Sequence, residues 1–271
     1  MYLSLYKFFR FFGGNVNFLF LLLSCLFIGS HLFAAKVGLL IVATGKYDVF
    51  VAPLIDSARK YFCVDDEVTY YVFADGVIPE ADDIVRVFQT RLGWPLDTLM
   101  RNSIYLRHKN VFKDEEYLFA LDADMLFVDH VGSEIFGERV ATMHPGFAIT
   151  GAVPTYEKNP KSRAYVKDRP SIPYFAGGFF GGSQEGFIHI ITETTKRVKN
   201  DLRRGIIAVW HDESQWNRYC MDYPPSVILT PSYCFADISE MGYSQELAER
   251  HGTQFPAKLV ALTKNHAEYR E

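Results

Sequence analysis

Short apolar runs alternate with amphipathic stretches over the first half of the chain. Residues 51–62 and 96–109 have apolar side chains at helical spacing, and residues 188–204 repeat that spacing further on. The apolar runs are rich in β-branched and aromatic residues, as strands buried in a parallel sheet are. Because strands that alternate with helices build such a sheet with helices on its faces, we expect an α/β fold. The apolar runs are residues 37–43, 68–74, 84–88 and 117–121.

Two segments of the second half lack this periodicity. Residues 154–173 are rich in Pro, Lys and Arg, which predicts a long loop, and loops of that length are often functional. Residues 174–182 hold four glycines beside four aromatic residues. This composition suits either a close approach of the backbone to a ligand or a strand kinked at glycine. The segment has neither the GxGxxG pattern of a dinucleotide site nor the GKS or GKT of a P-loop.

The first 36 residues differ from the rest of the chain. Residues 18–35 carry no charge, and such a stretch is just long enough for a helix to cross a bilayer. We expect an N-terminal hydrophobic helix in residues 1–36, as an uncleaved anchor or as a cleaved signal peptide, with an interfacial leader as a third alternative. An anchor makes the protein a single-pass type II membrane protein, with Lys7 and Arg10 in the cytoplasm and residues 37–271 as one domain across the membrane. Cleavage would make it secreted.

Charge and cysteine content exclude several classes of protein. The formal net charge is −4, and beyond residue 36 the chain carries 32 acidic against 25 basic residues. An acidic body without a long basic run argues against nucleic acid as a partner. The cysteines have no spacing typical of a metal site, and no disulfide framework is expected. They are Cys25, Cys63, Cys220 and Cys234.

Two carboxylates follow the apolar run 117–121, at Asp122 and Asp124. In extended backbone, residues two apart point to the same side, and open α/β sheets bind ligands at the carboxyl ends of their strands. Paired hard oxygens there suit Mg²⁺ or Mn²⁺ that also coordinates a diphosphate. Turn or cap residues are the alternative, as is a haloacid-dehalogenase-like nucleophile pair, although that pattern expects Thr or Val where this chain has Leu126.

A second cluster of ionisable side chains occupies residues 209–214, with the sequence VWHDES. An aromatic ring beside carboxylates is suited to a sugar, whose C–H face stacks while its hydroxyls form hydrogen bonds. The alternative is a helix start with Asp212 as its cap and Trp210 packed beneath.

These stretches, in this order, resemble the glycosyltransferase family that contains the mammalian blood-group A and B transferases and the α-1,3-galactosyltransferase, often called family six. The resemblance implies a GT-A fold, with a Rossmann-like, mainly parallel central sheet and flanking helices, for residues 37–271. It also implies a UDP-sugar donor. The segments that carry the resemblance are ATGKY (43–47), ALDADMLFVDHVG (120–132), MHPGF (143–147), YFAGGFFGG (174–182), IAVWHDESQWNRY (207–219), LTPSYC (229–234) and LTKNHAEYR (262–270).

For the donor, the resemblance implies a base site, a metal site and a sugar site. Asp122 and Asp124 would hold Mn²⁺ or Mg²⁺, and the intact acidic pair predicts metal dependence, since bacterial members that need no metal frequently carry Asn there. The small residues Ala176 and Gly178 leave room for an acetamido group, which favours UDP-GalNAc over UDP-Gal. Arg101 would contact both the donor sugar and the metal-site carboxylates. The remaining donor-binding residues would be Ala43, Thr44 and Tyr47 at the uracil, Gly177 and Asp212 near the sugar, and Lys264 and Arg270 over the diphosphate.

For catalysis, Glu213 matches the carboxylate nearest the anomeric carbon, as nucleophile or as stabiliser of an oxocarbenium-like ion. The acceptor would be faced by His144, Trp210, His211 and Glu213. One departure affects the acceptor: the family commonly has Trp-Asp where this chain has Phe235-Ala236, and Asp237 can substitute only if the loop shifts by one residue.

The resemblance therefore implies a metal-dependent retaining transferase that moves GalNAc or Gal from UDP to the 3-hydroxyl of a galactoside-terminated glycan in α linkage. Its place would be the Golgi in a eukaryote or the inner membrane in a bacterium. Two alternatives remain at this point. One is a membrane-tethered carbohydrate-binding protein of the same fold without turnover, and the other is a metal hydrolase of phosphate esters.

Overall fold

A seven-stranded sheet forms the centre of the computed structural model, which describes residues 34–168, 170–236 and 244–270. The strand order is β3-β2-β1-β4-β7-β6-β8, and β7 alone among these runs antiparallel to its neighbours. A second sheet pairs β5 with β9. The strands are β1 (Lys36–Val42), β2 (Glu67–Ala74), β3 (Ile84–Phe88), β4 (Tyr117–Asp122), β5 (Met125–Phe127), β6 (Val140–Met143), β7 (Phe175–Ser183), β8 (Val227–Leu229) and β9 (Leu259–Ala261).

The predicted α/β architecture is confirmed, since all four predicted apolar runs form parallel strands, β1 to β4. The glycine-rich run 174–182 forms β7, which packs closely against β4. A Cβ atom on Gly181 would lie only 2.2 Å from the carbonyl oxygen of Leu118, so this position has no room for a side chain.

Helices cover the sheet, and their bounds refine the predicted ones. The predicted helix 96–109 is divided at Met100, and the predicted helix 188–204 begins earlier, at Gln184, where the Ser183 side chain caps it by accepting the Gly186 N–H. The helices are α1 (Val51–Tyr61), α2 (Leu96–Leu99), α3 (Arg101–Arg107), α4 (Pro145–Thr150), α5 (Gln184–Leu202), α6 (His211–Asp222), α7 (Gln245–Gln254) and α8 (His266–Arg270).

The predicted long loop is also confirmed. Residues 151–168 and 170–174 contain neither helix nor strand. Two buried carboxylates nevertheless fix the loop to the domain. Asp201 of α5 accepts hydrogen bonds from the Ser162 hydroxyl and the Arg163 N–H, both at 2.7 Å, and the second carboxylate, Glu157, belongs to the loop itself.

The core lies on both faces of the sheet and is strongly aromatic. Phe119 and Phe179 stack on one face, and Phe180 stacks on Trp216 on the other. Residues 1–33, where the hydrophobic helix is expected, lie outside the described part of the chain. Among the helices that the structure describes, none is both long and apolar enough to cross a membrane.

Candidate active site

A cleft of about 300 Å³ opens where β1 and β4 end, beside the start of α6. This is the edge at which open α/β sheets bind ligands. Most of the side chains that the sequence predicts for the site line this cleft. They are Thr44, Tyr47, Arg101, Asp122, Asp124, Gly177, Trp210, His211, Asp212, Glu213 and Lys264.

Asp122 and Asp124 face the same cleft, as expected for carboxylates at the end of a strand. Asp122 is the last residue of β4, and Asp124 lies in the turn before β5. Asp122 is ion-paired with Arg101 at 2.5 Å, and Asp124 with Lys264. The Asp122 side chain is 46% exposed and that of Asp124 is 13% exposed. A ligand in the cleft can therefore contact Asp122 directly. It can contact Asp124 only where the Lys264 ammonium now lies.

Arg101 connects Asp122 at the end of β4 to the first turn of α6. Its buried guanidinium donates to Asp122, to the Gly177 carbonyl and to Asp212, the last at 2.6 Å. Burial alone would lower the pKa of Arg101, but the charges of Asp212 and Asp122 outweigh burial and raise it. Arg101 therefore stays charged and holds three separate chain segments in one arrangement.

Glu213 lies in the first turn of α6, where Gly177 holds its side chain. Its Oε2 accepts the Gly177 N–H at 2.9 Å. A Cβ atom on Gly177 would lie 3.0 Å from Arg101 Nη2 and 3.4 Å from the Cβ of Glu213, so a larger residue would separate these groups. Burial raises the pKa of Glu213 to about 7, against the hydrogen bond from Gly177, which lowers it. Burial raises the pKa of Asp212 as well, and Arg101 opposes that rise.

The turn that enters α6 is strained. His211 has φ +49°, a left-handed conformation that is costly for a residue with a Cβ atom, and the preceding Trp210 is 47% exposed. The His211 ring packs edge-on against Trp94, with 5.1 Å between centroids. The alternative interpretation of residues 209–214 is correct only in that a helix begins there. Trp210 is not packed beneath the helix, and Asp212 is ion-paired with Arg101 inside the first turn.

The opposite end of the cleft is aromatic and cationic. Lys264 Nζ lies 5.2 Å from the centroid of the Tyr47 ring, and the Tyr269 ring lies 5.7 Å from that of Tyr47. Lys46 Nζ donates to the Glu268 carbonyl at 2.7 Å. The C-terminal segment thus lies against the 3₁₀ helix Gly45–Phe50 and closes this end.

The remaining predicted site residues lie beside the cleft. Ala43 is fully buried, with its N–H bonded to the Phe73 carbonyl, and Ala176 is 3% exposed. A Cβ atom on Gly178 would lie 3.3 Å from Asp122 Oδ2. The side chain of Arg270 and the whole of Asp237 lie outside the described residues.

His144 caps α4 rather than lining the cleft. Its Nδ1 accepts the Gly146 N–H at 3.1 Å, and its ring packs against Phe147 and Tyr174. Burial lowers the pKa of His144 to about 4, so the ring is neutral near pH 7.

Several cleft residues were not predicted from the sequence, among them Asp97, Arg91 and Tyr269. Asp97 accepts hydrogen bonds from the Thr44 hydroxyl at 3.2 Å and from the Leu92 N–H at 2.7 Å, and Arg91 lies 3.9 Å from it. Tyr269 lies within the quoted segment 262–270, so that segment carried a signal for it, whereas Arg91 belongs to no recognised motif.

A divalent cation fits the chemistry of the acidic pair. In the described residues, no group of three or more His, Cys, Asp or Glu side chains is arranged as a metal cage. Mg²⁺ and similar ions, however, are usually held by one or two carboxylates, with substrate phosphates and water completing the shell. Both carboxylates already attract cationic side chains, as a divalent cation would require.

The fold and cleft define an α/β enzyme whose charged site lies at the carboxyl ends of parallel strands. The chain belongs to glycosyltransferase family 6, whose model matches residues 28–270. This confirms the resemblance read from the motifs and makes the protein a hexosyltransferase, so neither a binding protein without turnover nor a phosphate-ester hydrolase is retained.

Relatives from animals and bacteria share most of the domain. The histo-blood group ABO system transferase 1 of Rattus norvegicus is 34% identical over 246 residues, which are 86% of this chain and 68% of the relative. The globoside alpha-1,3-N-acetylgalactosaminyltransferase 1 of Homo sapiens is 30% identical over 74% of this chain and 61% of its own length. The O-antigen biosynthesis glycosyltransferase WbnI of Escherichia coli is 24% identical over 84% of this chain and 94% of its own length.

Proposed function

We propose that the protein is a metal-dependent retaining glycosyltransferase that moves GalNAc, or Gal, from a UDP-sugar to the 3-hydroxyl of a galactoside in α linkage. One observation carries the proposal. The Glu213 carboxylate is fixed on Gly177 between an aromatic, cationic end of the cleft and an exposed Trp210. A nucleotide at the first end and a sugar at the second would meet at Glu213.

The donor occupies the half of the cleft closed by the C-terminal segment. The Tyr47 ring is available to stack on the uracil, and Lys264 offers a cation to the diphosphate. Arg101 orients the sugar, since its guanidinium already bridges the metal-site carboxylate Asp122 and Asp212. These residues would hold the donor so that its anomeric carbon lies near Glu213.

Glu213 acts on the face of the sugar opposite to UDP, and the acceptor arrives on the face that UDP leaves. Two routes give retention with the same residue: a glycosyl-enzyme on Glu213, or a front-face attack in which its charge stabilises an oxocarbenium-like ion. In both, the bond from the anomeric carbon to UDP breaks, the acceptor oxygen bonds to that carbon, and the acceptor proton goes to the departing diphosphate. In the first route a bond to Glu213 forms and then breaks. Trp210 and His211 present the galactoside to that point.

Asp122 and Asp124 would hold the Mn²⁺ or Mg²⁺. When bound, the ion offsets the charge that develops on the departing diphosphate. Asp124→Asn removes one hard ligand without touching the Arg101 bridge. We expect it to weaken Mn²⁺ binding to the UDP complex at least about tenfold, measured by titration with electron paramagnetic resonance.

An exposed aspartate outside the cleft provides the control for Asp124→Asn. Asp129→Asn should leave Mn²⁺ binding unchanged, because Asp129 accepts the His130 N–H and is not among the residues that line the cleft. Transfer that continues at full rate in EDTA would overturn metal dependence for the wild type.

Small side chains support UDP-GalNAc as the preferred donor. By resemblance to the family, the residues that select the donor by bulk are Ala176 and Gly178, and both are small. The whole proposal is tested by UDP release with Mn²⁺ and an array of galactoside acceptors, with each donor in parallel and the linkage read by mass spectrometry. We expect α-1,3 products and faster turnover of UDP-GalNAc. A clear preference for UDP-Gal would contradict the steric argument, and no release with any acceptor would contradict the function.

The N-terminal segment completes the proposal. Residues 1–36 would anchor the catalytic domain as a type II protein, in the Golgi, whose lumen supplies nucleotide sugars, or in the inner membrane of a bacterium. Partition of the full chain with membranes after carbonate extraction tests this, and recovery in the soluble fraction would contradict an uncleaved anchor.

A further inference from the structure

Glu157 is a buried carboxylate in the loop between α4 and β7, far along the chain from the catalytic segment. It is 8% exposed. Its Oε2 accepts the Val209 N–H at 2.8 Å, and its Oε1 accepts the Asn159 N–H at 2.7 Å. One side chain thus ties the loop to the residue that precedes Trp210.

The hydrogen bond from Val209 to Glu157 lies immediately before the strained turn. His211 has φ +49°, and backbone strain of this kind, about 1–3 kcal/mol, persists only where neighbouring contacts over-determine it. Such contacts surround the turn: the Trp210 N–H donates to the Ser214 hydroxyl at 2.9 Å, and the His211 N–H donates to the Ala208 carbonyl at 2.9 Å. From outside this segment of chain, Glu157 holds the backbone at Val209, and Trp94 contacts the His211 ring.

The donor half of the cleft does not depend on the Glu157 contact. Arg101 is fixed by Asp122 on β4 and by Gly177 on β7. Asn217 of α6 holds the helix to β7 through two hydrogen bonds of 2.8 Å with Phe175. Loss of the Glu157 contact should therefore displace the turn at Trp210 and His211 and leave the donor site in place.

We propose that Glu157 is a positioning residue for acceptor recognition, acting through the backbone of Val209 on Trp210 and His211. The proposal rests on the function given above, in which these two side chains face the galactoside. It assigns the long loop a role in acceptor binding that does not require any loop residue to touch the acceptor.

A carboxylate suits this role better than an amide. Both of its oxygens accept, and hydrogen bonds from backbone N–H groups to an ionised acceptor are stronger than those to a neutral one. In Glu157→Gln, one of the two N–H groups would face the amide NH₂, which cannot accept. The variant keeps the size of the side chain but loses one contact, whereas Glu157→Ala loses both.

Binding measurements test the proposal without requiring turnover. Calorimetry would measure the Kd of N-acetyllactosamine in the presence of UDP and Mn²⁺, and the Kd of UDP with Mn²⁺. For Glu157→Gln we expect galactoside binding to weaken about 10-fold, and more in Glu157→Ala, since misplacement of binding groups by 1 Å costs up to about 10²-fold. UDP binding and acceptor-independent UDP-sugar hydrolysis should stay within about twofold of the wild type, because the donor contacts remain.

Asp201→Asn is the matched control. Asp201 is also a buried carboxylate that fixes the long loop, but its loop contacts are Ser162 and Arg163, away from the Val209 tie. Asp201→Asn should lower Tm to about the same extent as Glu157→Gln and leave galactoside binding unchanged. A parallel loss of UDP and galactoside binding in Glu157→Gln, or unchanged galactoside binding, would overturn the proposal. A wild type that binds UDP but no galactoside would instead contradict the proposed function.

Discussion

Replacing Glu213 by Gln is expected to lower the kcat of transfer on the order of 10³-fold, as losses of a preorganised electrostatic group at a reacting centre do. The substitution keeps the shape of the side chain and an oxygen that can accept the Gly177 N–H. It removes the negative charge that both retaining routes require. The KM of the donor should change little, because the nucleotide end of the cleft is built from Tyr47 and Lys264. Initial rates over a matrix of donor and acceptor concentrations measure both quantities.

Glu115→Gln is the control for this loss. Glu115 is also buried, and it accepts the Tyr71 hydroxyl at 2.5 Å, but it lies at the other end of the sheet. Its variant should transfer at the wild-type rate. Near-wild-type turnover by Glu213→Gln would remove Glu213 from the reaction and contradict both retaining routes.

The thermal stability of Glu213→Gln gives an independent result. The pKa of Glu213 is raised from 4.5 to about 7, so between these values the folded state binds more protons than the unfolded state. Wild-type stability therefore falls as pH rises through that window, and the loss is complete above about pH 7. Glu213→Gln removes this cost, and its Tm should exceed that of the wild type by a few degrees at pH 8 and by less at pH 5. A lower Tm than the wild type at pH 8 would contradict the raised pKa.

Much of the fold follows from local patterns. The runs that became β1 to β4 are apolar enough to be recognised alone, and the helix of residues 51–61 has a clear amphipathic period. The direction of β7 is not local information, because an antiparallel strand in a mainly parallel sheet is decided by its partners β4 and β6. The three-residue strands β5 and β9 are too short to show a period at all. The helix 96–109 has a continuous apolar pattern that conceals the break at Met100.

The candidate site, like the fold, could be predicted only in part from local sequence patterns. Asp122 and Asp124 could be placed together from two positions on one strand. The bridge at Arg101 could not, since its partners lie 21 residues away at Asp122 and far beyond that at Asp212, and only the fold brings them together. Resemblance to the family predicted a contact of Arg101 with the metal-site carboxylates, which the structure shows at Asp122, but it did not predict the ion pair with Asp212. The left-handed backbone of His211 has no sequence signal, since the residue there is not glycine.

Arg101→Met is expected to be the most destabilising of the substitutions considered. The guanidinium is buried and neutralises Asp122 and Asp212, and the Asp212 side chain is only 7% exposed. Removing one partner of a buried ion pair costs about 3–5 kcal/mol, because the remaining charge is left without a partner. For a domain of this size, that loss corresponds to a decrease in Tm of roughly 10 °C. Thermal unfolding followed by circular dichroism measures it.

Two comparisons separate the buried charge from the loss of packing. Arg59→Met breaks a bidentate pair with Asp83, but the Arg59 side chain is 40% exposed, so the cost should stay below about 1 kcal/mol. The double variant Arg101→Met with Asp212→Asn removes the stranded carboxylate and should recover part of the lost Tm. It should not recover transfer, since the donor sugar has lost the group that orients it. If the double variant is less stable than Arg101→Met alone, Asp212 is held by contacts other than Arg101, and the bridge is not what joins α3 to α6.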